Sequence, residues 1–170
     1  AATQILLQFL HISSYGMDGF AFAAEVLVGQ AVGKSNRFML RDAVIKSGLW
    51  TFVIAICLAL IYALFGSFFI KIMTTSDEVI LASEAFLIFI VLGPIFGALP
   101  FLMDGIFVGA TRSVDMRNMM FLSLIIYVVS AYVLIDLYGF YGLWLALLVS
   151  YAARGISLVI RYPKLEKSIS

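Results

Sequence analysis

Apolar and polar residues fall along this chain in long blocks. Five apolar stretches, about 5–32, 47–70, 79–110, 119–137 and 143–160, are separated by short charged or glycine-rich turns. Each has the length a helix needs to cross the ~30 Å hydrocarbon core of a bilayer. The pattern predicts an all-α integral membrane fold of five transmembrane helices. The turns are Lys34-Ser35-Asn36-Arg37, continued by Arg41, Asp42 and Lys46; Lys71 to Glu78; Thr111 to Asn118; and Tyr138 to Gly142. Thr75 and Glu78 have the spacing of a capping box opening the third helix. Gly29/Gly33, Gly93/Gly97 and Gly105/Gly109 are GxxxG pairs, which let helix backbones approach closely.

Two of the blocks carry polar residues that lipid does not tolerate. The first holds His11, Ser13, Ser14, Asp18, Glu25 and Gln30. Asp18 and Glu25 are seven residues apart, so they share one helix face, which must look into a bundle or an aqueous cavity. The third block holds Pro94, Pro100 and Asp104, the last among Phe101, Leu102, Met103, Ile106 and Phe107. A proline has no N–H to donate, so the pair predicts a helix break. A carboxylate at mid-bilayer costs about 2.5–3.5 kcal/mol on insertion scales. A broken helix beside such an acid points to a transport site, with Asp104, Asp18 and Glu25 as candidates for binding a proton or cation. The bland alternative for Asp104 is a hydrogen bond to a carbonyl freed by Pro100. Met103, Phe101, Phe107 and Tyr127 are candidates for lining a substrate cavity, the aromatics by stacking on an organic cation. Arg112, Asp115 and Arg117 read as a topology-fixing turn, or as a gate on that side. Glu84 lies near a boundary where water solvates it, His11 reads as a packed polar residue, and Gln30 as a turn residue.

Composition agrees with the block pattern. With 64% hydrophobic and 12% charged residues, the chain cannot dress a soluble core in polar surface. A net charge of +1 gives no electrostatic footprint for nucleic acid. The single cysteine, Cys57, excludes an intrachain disulfide, and one histidine without paired cysteines leaves no zinc ligand set. No nucleophile–base pair marks an enzyme, and no cofactor is expected beyond a transported H+ or Na+. Gly29-Gln30-Ala31-Val32-Gly33-Lys34-Ser35 falls one residue short of a P-loop and follows an apolar helix instead of a strand.

Numbering the turns alternately collects Lys34, Arg37, Arg41, Lys46, Arg112, Arg117, Arg161, Lys164 and Lys167 on one side and Lys71 on the other. Arg154, inside the last span, reads as snorkelling to the basic side. The positive-inside rule makes that side, with the C-terminus, cytoplasmic, and a multi-pass protein of the cell's inner (plasma) membrane is expected. Ala1 then falls outside, and the chain opens without Met, so a further helix upstream is expected.

The residues also carry a family likeness. Gly-Gln-Ala-Val-Gly-Lys-Ser-Asn-Arg (29–37) resembles a turn of the multidrug and toxic compound extrusion (MATE) transporters. The stretches 17–25 and 102–118 resemble the DNA-damage-inducible F (DinF) branch of that family, and 143–147 followed by Ala153-Arg154-Gly155 is similar too. The resemblance implies the last five, helices eight to twelve, of a twelve-helix, two-lobe fold, with helix seven and the N-terminal lobe missing from this chain. It implies a cation-driven antiporter that exports amphipathic or cationic organic compounds, with Asp104 at the position of the tenth-helix coupling acid. The expected partners are the missing lobe, the lipid bilayer and small organic substrates. The alternatives are a lipid-linked oligosaccharide flippase of the same superfamily, whose cavity is expected to hold several cations where these spans hold only Arg154, and an inactive membrane fragment.

Overall fold

The computed structural model describes residues 2–169. The described chain is helical from end to end: α1 (Ala2–Gly33), α2 (Arg37–Met73), α3 (Asp77–Ala85), α4 (Leu87–Gly109), α5 (Ser113–Tyr138) and α6 (Phe140–Lys167). α2, α4, α5 and α6 are long and apolar enough to cross a membrane. α1 has the length, but its spaced polar residues leave no membrane-length stretch as apolar as those of the other four.

α4 is the axis of the bundle. It packs against α1, α2 and α6, while α5 lies outside, packed chiefly on α6. The residue types explain the difference. α4 offers Gly93, Gly97, Gly105 and Gly109 as a stripe along the side facing α1, where a Cβ would meet Leu10, Met17, Ala21 and Glu25 in turn. At Gly105 and Gly109 the neighbour is the α1 backbone itself, the carbonyls of Ala21 and Glu25. Two helices can cross that closely only where one has no side chain. On its other sides α4 contributes Leu102, Met103, Ile106 and Phe107 to a core with Val28 of α1, Leu40 and Ala43 of α2, and Leu158 of α6. α5 buries only Met119, Ser123 and Ala131 and presents Ile125, Val128, Val129 and Tyr132 outward. Such an apolar exterior suits lipid as its solvent.

The structure departs from the sequence pattern in three places. The helix break expected at Pro94 and Pro100 falls instead at Phe86, between α3 and α4; both prolines lie buried inside a continuous α4. Packing on three sides holds the helix through positions where the carbonyls of Ile90 and Phe96 have lost their N–H donors. Phe86 is itself stacked on Tyr141, with ring centroids 4.4 Å apart, and meets Phe140 edge-on. The capping box is also absent: the N-cap is Ser76, its side chain makes no cap bond, and its N–H donates to Thr74 Oγ1. Finally, the charged stretch after Lys34 is mostly helix. Asn36 caps α2 by accepting a bond from the N–H of Met39, which starts that helix ten residues before the predicted span.

The ends of the bundle are tied differently. At one end, Arg37 donates to the carbonyls of Ile169 and Lys167, and Arg41 pairs with Glu166. Asp115 at the start of α5 accepts from Arg161 of α6 there as well. The other end holds the aromatic cluster around Phe86, joined by Phe89 and Trp144. Gly105→Ala should force α1 and α4 apart and cost about 1–3 kcal/mol. Gly19→Ala, where nothing lies within 4 Å, should cost nothing. Thermal unfolding of the two variants in detergent distinguishes them, and equal midpoints would remove the glycine contact as the organising one.

Candidate functional site

The close crossing of α1 and α4 sets the geometry of a polar cleft beside it. On α4, Phe101, Asp104, Gly105 and Val108 follow helical spacing along one stripe. On α1, Asp18, Ala21, Phe22 and Glu25 do the same. These eight residues and Arg154 of α6 line one cavity of about 250 Å³. The three carboxylates singled out from the sequence are therefore brought together, two from one helix and one from its neighbour.

The cleft contains a partner that sequence reasoning assigned elsewhere. Arg154 Nη2 lies 2.6 Å from Asp104 Oδ2, with the two side chains 23% and 20% exposed. Arg154 thus does not snorkel toward the basic end; the pull of a carboxylate in an apolar span outweighs the cost of staying at that depth. Nor does a bond from Asp104 to a carbonyl near Pro100 form: Oδ2 faces the guanidinium and Oδ1 has no partner among the described residues. The contact is made at one point. Asp104 Oδ1 and Arg154 Nε are both buried without a hydrogen-bond partner among the described residues.

A second, larger cavity of about 530 Å³ lies between α5 and α6. Arg117, Met120, Phe121, Leu124 and Tyr127 line it from α5, and Leu147, Ser150 and Arg154 from α6. Its size falls within the ~300–1,000 Å³ typical of small-molecule pockets, and its walls are mainly apolar. The cleft at Asp104 is below that range, so it suits a small ion better than an organic compound. Arg154 lines both cavities.

The candidates for the substrate cavity separate. Phe101 lines the carboxylate cleft and Tyr127 the larger cavity. Met103 and Phe107 line neither; they lie on the α4 stripe turned toward the core and are buried there. Of the polar turn, Asp115 bridges Arg161 and, more loosely at 3.8 Å, Arg112. Arg117 is exposed and lines the larger cavity. Glu84, His11 and Gln30 line neither cavity.

The family model MatE matches residues 1–133. The chain belongs to the MatE family. It is 34% identical over 158 residues to DNA damage-inducible protein F of Escherichia coli (strain K12), an alignment covering 93% of this chain and 34% of that protein. It superposes on the crystal structure of the eukaryotic MATE transporter AtDTX14 with a TM-score of 0.87 at 18% identity, over 99% of this chain and 39% of that one. The fold is thus that of a MATE transporter, and the chain spans about a third of the length of the curated relative it matches. MatE proteins are transporters and not enzymes, and the chain is accordingly a multi-pass membrane protein of an efflux family.

Arg154 is the cleft residue that sequence reasoning missed within this MatE chain. The signal was present: a lone cation in one apolar span and an acid in another each need a partner at depth. Only the packing of α6 on α4 shows that they meet. A double-mutant cycle with Asp104→Asn and Arg154→Gln should return a coupling energy of about 0.5–3 kcal/mol for this contact. Unfolding in detergent measures it, and a value of zero would mean that the pair holds nothing together.

Proposed function

We propose that this chain forms part of a cation-coupled antiporter that exports amphipathic or cationic organic compounds by alternating access. Three carboxylates from α1 and α4 converging on one small cleft carry the reading. A half-buried cluster of like charges favours whatever neutralises it, so it binds a proton or a small cation and changes its electrostatics on doing so. The adjacent apolar cavity with Tyr127 and Phe121 is of a size for the exported compound. Binding of the cation at Asp104 favours one facing state and binding of the compound the other, which is all that exchange requires.

In this reading α1, α2, α3 with α4, α5 and α6 are the five spans corresponding to helices eight to twelve of the two-lobe transporter. The partner is the other lobe, with the lipid bilayer around both. The end carrying Arg37, Arg41, Arg112, Arg117, Arg161 and the C-terminus faces the cytoplasm of a bacterial inner membrane, by the positive-inside rule. Arg112, Asp115 and Arg161 then stand at the inner mouth, where breaking the Asp115–Arg161 bridge would loosen α5 from α6. The cleft holds a single cation, fewer than the several expected of a cavity for lipid-linked sugars, which favours the drug-exporter reading over the flippase.

Gradient-driven efflux of a cationic dye from proteoliposomes of the complete two-lobe transporter tests this. Asp104→Asn should abolish the gradient-driven component while leaving the protein folded. Asp18→Asn and Glu25→Gln should each weaken it, by about tenfold or less, since each removes one charge from a shared cluster. Unchanged efflux in Asp104→Asn would end the role of the cleft in coupling.

A further inference from the structure

We propose that Arg154 is a displaceable counter-ion of Asp104, seated on the carboxylate when the cleft is empty and withdrawn into the α5–α6 cavity when a cation takes its place. The inference rests on the reading of Asp104 as the cation site and adds a specificity-determining residue to it.

Three features of the arrangement carry it. First, the contact is a single one, Nη2 to Oδ2 at 2.6 Å. An arginine that fixes a fold tends to engage a carboxylate with two parallel bonds. Here Asp104 Oδ1 and Arg154 Nε stay buried and unpartnered among the described residues, so the pair is seated without being locked. Second, the same side chain lines both cavities, so leaving Asp104 does not require it to enter packed core. The larger cavity, which the exposed Arg117 also lines, offers the ring of Tyr127, which attracts a guanidinium by its face, and the hydroxyl of Ser150, enough to hold Arg154 against that like charge. Third, the cleft has three carboxylates to one guanidinium. The titratable groups that share it with Asp104 are Asp18 and Glu25, both from α1. Without Arg154, an arriving cation would meet an uncompensated acidic cluster and bind too tightly to be released.

The function of the arginine follows from the requirement that a transported ion be able to leave. A transport site must bind its ion well enough to load and weakly enough to unload. A tethered cation meets the second condition because it takes over Asp104 as the ion departs. It also makes the two cavities communicate. An ion at Asp104 places the guanidinium in the α5–α6 cavity, where it repels an organic cation, and the reverse holds when the ion has gone. Competition between coupling ion and exported cation then arises through one side chain even though their seats differ.

The test uses the complete transporter in proteoliposomes and reads the apparent affinity for the driving cation separately from the maximal efflux rate. Arg154→Gln should bind the driving cation about tenfold more tightly, equivalent to about 1.4 kcal/mol, with a maximal rate that falls by a similar factor. Arg154→Lys, which keeps the charge, should stay near the parent in both. Tyr127→Leu removes the alternative seat and should shift the affinity the other way, making it weaker. An unchanged affinity in Arg154→Gln would overturn the proposal, as would recovery of parental efflux in the double variant Asp104→Asn with Arg154→Gln, the signature of a purely structural pair. Should Arg154→Gln fail to reach the membrane, an unchanged affinity in Tyr127→Leu overturns it instead. Full gradient-driven efflux by Asp104→Asn alone would sink the cation-site reading itself, an outcome separable from all of these.

Discussion

The contact on which the rest of this bundle depends is backbone against backbone. Gly105 and Gly109 of α4 lie on the carbonyls of Ala21 and Glu25 in α1, and no side chain larger than hydrogen fits between. In a bilayer the apolar residues of a helix gain little by leaving lipid for protein, so close packing has to supply what the hydrophobic effect supplies in water. The same contact decides the chemistry beside it. Asp18 and Glu25 flank the crossing on α1, and Asp104 directly precedes Gly105 on α4. A wider crossing would move the carboxylates apart.

Around that crossing the helices divide by what they touch. α4 is surrounded by α1, α2 and α6 and is accordingly rich in glycine, proline and bulky apolar residues that fill a core. α2 and α5 carry broad apolar faces outward, including Ile56, Leu64 and Phe68 on α2 and Ile125 and Val129 on α5. α6 mediates between core and periphery, touching both α4 and α5. That position lets one of its residues, Arg154, border two cavities at once.

The element pattern was legible because bilayer thickness imposes it. The first block, read as 5–32, is α1 at Ala2–Gly33. The glycine seam and the shared face of Asp18 and Glu25 were equally legible, since both follow from helical spacing alone. What the pattern hid were features decided between helices. Phe86 interrupts the third block although nothing in its residue type announces a break. Pro94 and Pro100, the strongest local breakers, are overruled by packing on three sides. Met103 is adjacent to Asp104 in sequence, yet consecutive helical residues point about 100° apart, and it turns into the core. The pairing of Arg154 with Asp104 spans 50 positions and depends on how α6 docks, which no local spacing encodes.

The unlike ties at the two ends of the bundle give it a built-in polarity of response. At the basic end the helices are joined by partly exposed ion pairs, Arg41 with Glu166 and Arg161 with Asp115, whose strength falls as mobile ions crowd in. The opposite end is joined by the rings of Phe86, Phe89, Tyr141 and Trp144, which ionic strength hardly touches. Salt therefore weakens the ties at one end of the bundle and spares those at the other.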